Sequence, residues 1–315
     1  MAQNCTNFSR LVDFRRLVLS VILLTALCGF DLSNATIPVA EILDGGPPKD
    51  GIPALTDPTF ESSKKSHYLY DSDRVIGVSI NGEARAYPLR ILNWHEVVND
   101  KVGGSAIVVT YCPLCGSGMV FNALIGGKRL FFGVSGKLYN SDVLLYDRRH
   151  ESLWSQIGMK AVSGHFVGTD LEHLAAKNTT WKAWRGKYPN TKVLSFKTGY
   201  TRDYSRDPYA DYAKTRKLIF PVNRKDSRLG AKNWVLGIVL GDKARAYPFK
   251  ELSKLRGDQL PVRDSLNGRE ILISFDRNSQ SAQVTDTAGK QLASLQSFWF
   301  AWYAFHPDTS LFSAS

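Results

Sequence analysis

Cysteine is scarce in this 315-residue chain: Cys5, Cys28, Cys112 and Cys115 are the only four. So few thiols exclude a fold held together by a disulfide framework. No Gly-x-x-x-x-Gly-Lys-Ser/Thr loop and no Gly-x-Gly-x-x-Gly turn occurs, which removes the sequence grounds for a nucleotide-cradling enzyme. The segment His95–Asn99, HEVVN, starts like a zinc-protease helix but ends in asparagine, a poor zinc ligand, where that helix needs a second imidazole. Gly133–Lys137, GVSGK, lacks the final glycine of a nucleophile elbow. The net charge is +11, yet lysine and arginine never gather into a basic block of five. The charge reads as solubility, and no nucleic-acid partner is expected.

Long apolar runs are missing too. The strongest, Leu17–Leu27, is shorter than the about 20 residues that cross a bilayer. It follows Arg10, Arg15 and Arg16 and precedes the small-x-small site Ser33-Asn34-Ala35, the pattern of an export signal cleaved before Thr36. We therefore expect residues 1–35 to be a signal peptide and the mature chain to be periplasmic or secreted, without a transmembrane span and with a charge of +10. A lipid anchor at Cys28 is disfavoured because Leu27 stands where a lipoprotein signal has a small residue, and an uncleaved anchor is the remaining alternative. Export would remove Cys5 and Cys28 and place Cys112 and Cys115 in an oxidising compartment.

What is present is an internal likeness. VIGVSINGEARAYPL (75–89) returns as VLGIVLGDKARAYPF (235–249), with ARAYP identical in both. Each stretch alternates apolar and polar residues across a two-residue turn, Asn81-Gly82 or Gly241-Asp242, which predicts a β-hairpin. NDKVGGSAIVVTYC (99–112) matches RDSLNGREILISFD (263–276), pairing Asp100 with Asp264. TWKAWRGKYPNT (180–191) matches FWFAWYAFHPDT (298–309), and the tryptophans three apart fit one face of a short helix packed on a sheet. Residues 116–170, rich in aromatic and β-branched side chains, read as hairpins turning at Gly126-Gly127 and near Arg148–Glu151. The expected fold is mainly β (α+β): two related β-rich repeat units with short helices, at 36–200 and 201–315, the second reduced. Residues 36–72 read as an extended arm, and 202–212 as a tyrosine-rich connection.

The chemistry concentrates in TYCPLCGSG (110–118). A redox Cys-x-x-C opens a helix whose dipole lowers the first thiol's pKa, but Gly116-Ser117-Gly118 and a β-rich run follow here. Cys-Pro-x-Cys-Gly resembles the knuckle of zinc ribbons and rubredoxins, which use two such turns. This chain has one, and Asp276 stands at the matching place of the second unit. Other ligands must come from elsewhere, and His95 is the leading candidate because it and both cysteines belong to the same unit only. Its alternative role is a buried histidine hydrogen-bonded to backbone. His150 and His165 are later possibilities; His67, His173 and His306 read as bland. Thiolate plus imidazole is a soft donor set that suits copper or zinc.

The stretches GGPPKDGIPAL, ARAYPLRILNWHEVVND, TYCPLCGSG, FGVSGKLYNSDVLLYDR, SLWSQ and TWKAWRGKYPNT together resemble domain-of-unknown-function family 3179, a family of exported proteins. The resemblance spans roughly residues 45 to 250 and implies that the His95 and Cys112/Cys115 segments are hallmarks of the family. It also points to a polar set, Asn93, Asn140, Ser141, Asp142, Tyr146, Asp147 and Gln156, that either lines a cleft or forms a satisfied core network. Asn93, Tyr146, Asp147 and Gln156 are the candidate ligand-binding residues of that set. Three functional classes stay open: a metal-binding protein using Cys112, Cys115 and His95; a thiol–disulfide redox protein; and a non-catalytic envelope binding module with a local disulfide. The partner would be a small molecule or an envelope component.

Overall fold

The computed structural model describes residues 29–314, so the export-signal expectation for the N-terminus falls largely outside the described residues. The described residues are mainly β, with five short α-helices: α1 (Leu89–His95), α2 (Trp181–Lys187), α3 (Ala210–Lys214), α4 (Phe249–Leu252) and α5 (Trp299–Phe305). None of the described helices is long and apolar enough to cross a membrane.

The strands do not form two repeat units. Among the described residues they form five sheets of four or five strands in a propeller-like arrangement, with a separate two-stranded hairpin, Leu124–Ile125/Lys128–Arg129. Blade 1 contains the hairpin Arg74–Ile80/Glu83–Pro88, flanked by Lys177–Thr180 on one side and by Lys192–Leu194 and Phe60–Ser62 on the other. Blade 2 orders His173–Leu174, Ser117–Asn122, Ser105–Cys112, Val97–Val102 and Leu55–Thr56. Blade 3 orders Leu43–Asp44, Phe132–Tyr139, Asp142–Asp147, Leu153–Ser155 and Lys160–Ser163. Blade 4 is built on the hairpin Trp234–Leu240/Lys243–Pro248, between Leu295–Phe298 and Ser310–Leu311. Blade 5 orders Val262–Leu266, Arg269–Asp276, Ser281–Thr285 and Gln291–Leu292.

Consecutive blades are joined by specific contacts. Tyr87 OH donates to Asp100 Oδ2 (2.6 Å) between blades 1 and 2. Asn99 exchanges two hydrogen bonds with the Phe132 backbone (2.7 and 2.8 Å) between blades 2 and 3. Tyr139 meets Phe305 edge-on between blade 3 and α5, which follows a blade 4 strand. Tyr247 OH donates to Asp264 Oδ2 (2.7 Å) between blades 4 and 5. Thr179 Oγ1 donates to Ser281 Oγ (3.3 Å), which closes blade 1 on blade 5.

These contacts explain why ARAYP occurs twice. Arg85 and Tyr87 lie two apart on one strand and therefore share a face. Both reach Asp100 of the next blade, with Arg85 Nη1 2.6 Å from each carboxylate oxygen. Arg245 and Tyr247 hold Asp264 in the same way, at 3.2 and 2.7 Å. The two hairpins share their register, Val75 opposite Pro88 and Val235 opposite Pro248. Asn81 and Gly82 both have positive φ, whereas only Gly241 does in the second turn, the signatures of types I′ and II′.

The tryptophans at spacing three do lie on short helices with their rings buried: Trp181 and Trp184 in α2, Trp299 and Trp302 in α5. Trp184 lies flat over Gly77, where a Cβ would stand 2.2 Å from the ring, and Trp302 lies over Gly237 at the same distance. Segment 123–171 has no counterpart in the second half. It supplies most of blade 3, and hairpins long enough to form a sheet of their own are the physical reason the two-unit expectation fails. The arm before residue 63 adds an edge strand in turn to blades 3, 2 and 1, and so laces the ring. The 202–212 connection is not a free linker: Tyr204 and Tyr212 are buried in the core.

Candidate metal centre

α1 starts directly after Pro88, whose ring holds φ at −65°, and buries Ile91 and Leu92 completely. Each such side chain stabilises by roughly 1.5–3 kcal/mol. The helix stops at Glu96, whose φ of +55° turns the chain out of the helix into strand Val97–Val102. A left-handed conformation at a buried glutamate is uncommon and costs free energy, of the kind that collects at functional sites.

Strand Ser105–Cys112 then runs antiparallel to Ser117–Asn122, and the CPLC turn joins them. The Cys115 amide donates to Cys112 O (3.2 Å), and Gly116 completes the turn with φ +63°. A side chain at Gly116 would strike the Trp234 indole at 2.5 Å, so glycine is required on both counts. Cys115 O accepts from the Phe298 amide of blade 4 (2.9 Å), which fixes the turn from the opposite side. Both cysteines are free thiols, and both are buried.

Blade 3 brings the third group. Its strands Phe132–Tyr139 and Asp142–Asp147 are joined by Asn140-Ser141, both at positive φ. This hairpin tip is pressed against the CPLC turn: Ser141 O accepts from both thiols, at 3.3 Å from Cys115 and 3.8 Å from Cys112. Asp142 follows and points inward. Its Oδ2 accepts from the Ile157 amide (3.0 Å), while Oδ1 is buried without an N–H or O–H partner. The ligand atoms of Cys112, Cys115 and Asp142 all lie within 4.8 Å of one another, and all three residues are buried.

The electrostatics follow from that burial. Desolvation pushes the Cys112 thiol up and Cys115 well above the ordinary range, with the Asp142 charge adding to both. Desolvation also raises the Asp142 carboxyl, against the backbone amides and thiols that stabilise its charge. Glu96 stands close behind, likewise raised by burial and by Asp142. Ser141 Oγ and Tyr212 OH are further buried atoms without partners. Two thiols and a carboxylate in one dry pocket, with polar atoms to spare, are a donor set that could hold a cation.

His95 does not belong to this group. Its imidazole turns away, with Nδ1 2.7 Å from Pro53 O and Nε2 2.6 Å from Tyr204 OH. A carbonyl can only accept, so Nδ1 carries the proton and Nε2 accepts from the tyrosine. Both ring nitrogens are committed, and burial lowers the pKa, so the ring is neutral. His95 ties α1 to the arm and to the 202–212 connection.

The polar set divides. Asn93 lines a cleft of about 500 Å³ and donates to Asp207 Oδ1 (2.9 Å). Gln156 instead donates to Thr110 Oγ1 (2.7 Å) and accepts from Ser117 Oγ (2.7 Å), locking the cysteine hairpin to blade 3. Asp147 caps its own turn, accepting from the His150 and Ser152 amides and from Trp154 Nε1 (2.7, 3.1 and 3.1 Å). Tyr146 donates to Asp50 under the Lys49 ammonium, away from the thiols. His150 and His165 stack on each other at 4.1 Å, on the surface and outside the thiol cluster.

Two acidic residues were missed as participants by reading the sequence. Asp142 was visible only as a member of the polar set, and its signal is the Asn-Ser-Asp turn that aims it. Glu96 was visible only as part of a failed protease pattern.

No curated protein and no solved structure matches this chain. The family model described as "Protein of unknown function (DUF3179)" matches residues 49–309, a span that takes in blades 4 and 5 as well as the thiol cluster. The chain belongs to the DUF3179 family.

Proposed function

We propose that this is an exported metal-binding protein whose ion is held by Cys112, Cys115 and Asp142. The observation that carries the reading is the convergence of these three ligand atoms, within 4.8 Å of one another in a buried pocket. The Asp142 carboxylate fits it, because Oδ2 is held by the Ile157 amide while Oδ1 is buried with no N–H or O–H donor. With a carboxylate in place of the expected imidazole, the donor set shifts from copper(I) toward zinc, which accepts sulfur and oxygen together. Three protein ligands leave a fourth position, the arrangement that catalytic zinc sites use. A redox role for the pair is less well supported: no helix follows Cys115, and burial raises both thiols rather than activating one.

The residues around the expected cleavage site pack on blade 3. Phe30 packs on Tyr146, Asn34 exchanges two hydrogen bonds with Gly164, and the Thr36 amide donates to Val162 O. A cut before Thr36 would remove most of these contacts.

Zinc titration of anaerobically purified protein against a chromophoric chelator tests the metal reading. Stoichiometric binding lost in Cys112→Ser supports it. No binding to the reduced wild-type protein overturns it, and a Cys112–Cys115 disulfide by mass would then support the staple.

A further inference from the structure

The cleft of about 500 Å³ beside the thiol cluster opens between blades 1 and 2 on one side and blades 4 and 5 on the other. Its volume is in the range of small-molecule sites. Tyr111 and Gly116, which bracket the CPLC turn, form part of its wall. The metal reading makes no use of this space.

Arg74 lies in the wall and is largely buried. Its Nη1 donates to Ser279 O and Gln280 O, and its Nη2 donates to Asn178 O (3.1 Å). A guanidinium has five N–H donors, so two remain. No carboxylate among the described residues lies within ion-pair distance of it, in contrast to its neighbour Arg90, which pairs with Asp73 at 3.0 Å. Burial accordingly holds Arg74 below the ordinary arginine range. Burying a charge without a counter-charge is costly, and proteins normally avoid it. The cleft's charged lining, three arginines against Asp73 and Asp207, carries the same sign.

Two further features describe what else would fit. Trp234 is 37% exposed, an unusual position for tryptophan, and its ring is braced from behind by Phe298 at 4.4 Å. Gln296 is 94% buried by its 6% exposure, and its Oε1 has no partner; Asn178 Oδ1 in the same wall has none either. An indole face and two free amide acceptors suit a molecule with an apolar surface and hydroxyl or amide donors.

We propose that this cleft binds a small organic anion, a carboxylate or a phosphate ester, with Arg74 as its charge partner and Trp234 as its apolar wall. The site does not depend on whether the thiol cluster holds a metal. Arginine is suited to the role because its planar fork matches both oxyanion types.

The test is titration of the full mature chain at low ionic strength with inorganic phosphate, with succinate, and with neutral succinamide, followed by thermal melting and tryptophan fluorescence. The expected result is a saturable rise in melting temperature and a fluorescence change with at least one of the two anions, and a clearly weaker response to succinamide, which lacks the charge; whichever anion responds identifies the headgroup. Arg74→Gln should weaken that anion by roughly ten- to a hundredfold. Because Arg74 also joins blade 1 to blade 5, Gln296→Glu provides a second variant that places a negative charge in the wall and leaves the arginine's contacts in place. It should weaken the anion comparably. An equal response to succinamide, no saturable response to either anion, or anion binding unchanged in Gln296→Glu overturns the proposal.

Discussion

The Cys112 sulfur and the Asp142 carboxylate come within 4.8 Å of each other although they belong to different blades. One ends a strand of blade 2, and the other begins a strand of blade 3 after a two-residue turn. The centre therefore exists only when the two blades are docked, and metal binding should be coupled to the integrity of that junction.

Asp142→Asn keeps the shape and removes the charge. It should lower zinc affinity by at least about tenfold, as loss of one anionic ligand does. His95→Ala should leave zinc affinity unchanged and destabilise the fold by about 2–4 kcal/mol, because it empties a buried ring site, leaves Pro53 O without its donor and leaves Tyr204 OH with Thr198 Oγ1 alone. Chelator competition and denaturant melts on the two variants separate these outcomes. A metal loss in His95→Ala without unfolding would restore the histidine as a ligand.

The paired clamps should differ in strength. The Asp100 side chain is 4% exposed and receives both Arg85 and Tyr87, while the Asp264 side chain is 16% exposed and its arginine contact is longer. Asp100→Asn should cost about 3 kcal/mol and Asp264→Asn noticeably less, because screening grows with exposure. Urea denaturation of both variants gives the comparison, and equal losses would contradict it.

Gly77→Ala and Gly237→Ala each push a methyl into a tryptophan face, so each should destabilise by about 1–3 kcal/mol or more. Gly186→Ala, where nothing lies near the added carbon, is the control and should be close to neutral. Thermal melting of the three proteins is sufficient.

His173 and His306 line one small cavity, and burial pushes each down to about 4. Unfolded histidine titrates near 6.5. Above that pH both states are neutral and nothing changes. As pH falls from about 6.5 to about 4, the unfolded chain takes up protons that the folded chain refuses, so stability declines across that window. Denaturation midpoints at pH 7, 5.5 and 4.5 should fall less steeply in His306→Phe than in the wild type. Parallel slopes would show that His306 titrates normally in the fold.

The β class, the two ARAYP hairpins and the tryptophan helices were legible because each rests on local periodicity and turn chemistry. Asn81-Gly82 and the spacing of Trp181 and Trp184 are signals of that kind. The five-bladed ring was not legible, because it depends on which sheet edge meets which, as when Asn99 reaches the Phe132 backbone. The cysteine turn was readable at Cys112–Gly116, but its third member was not. Asp142 arrives from a hairpin whose docking no spacing encodes, and His95, nearer in sequence, is drawn off by Pro53 and Tyr204. Arg74 carried no signal at all: its unusual state comes from the absence of a carboxylate in three dimensions.

X-ray absorption at the zinc edge of the reconstituted protein tests the central claim most directly, because it reads the donor atoms themselves. The account predicts two sulfur scatterers at about 2.3 Å and light-atom scattering from oxygen at about 2.0–2.2 Å, without the outer-shell pattern of an imidazole. A spectrum with imidazole scattering, or with no sulfur in the first shell, would contradict it.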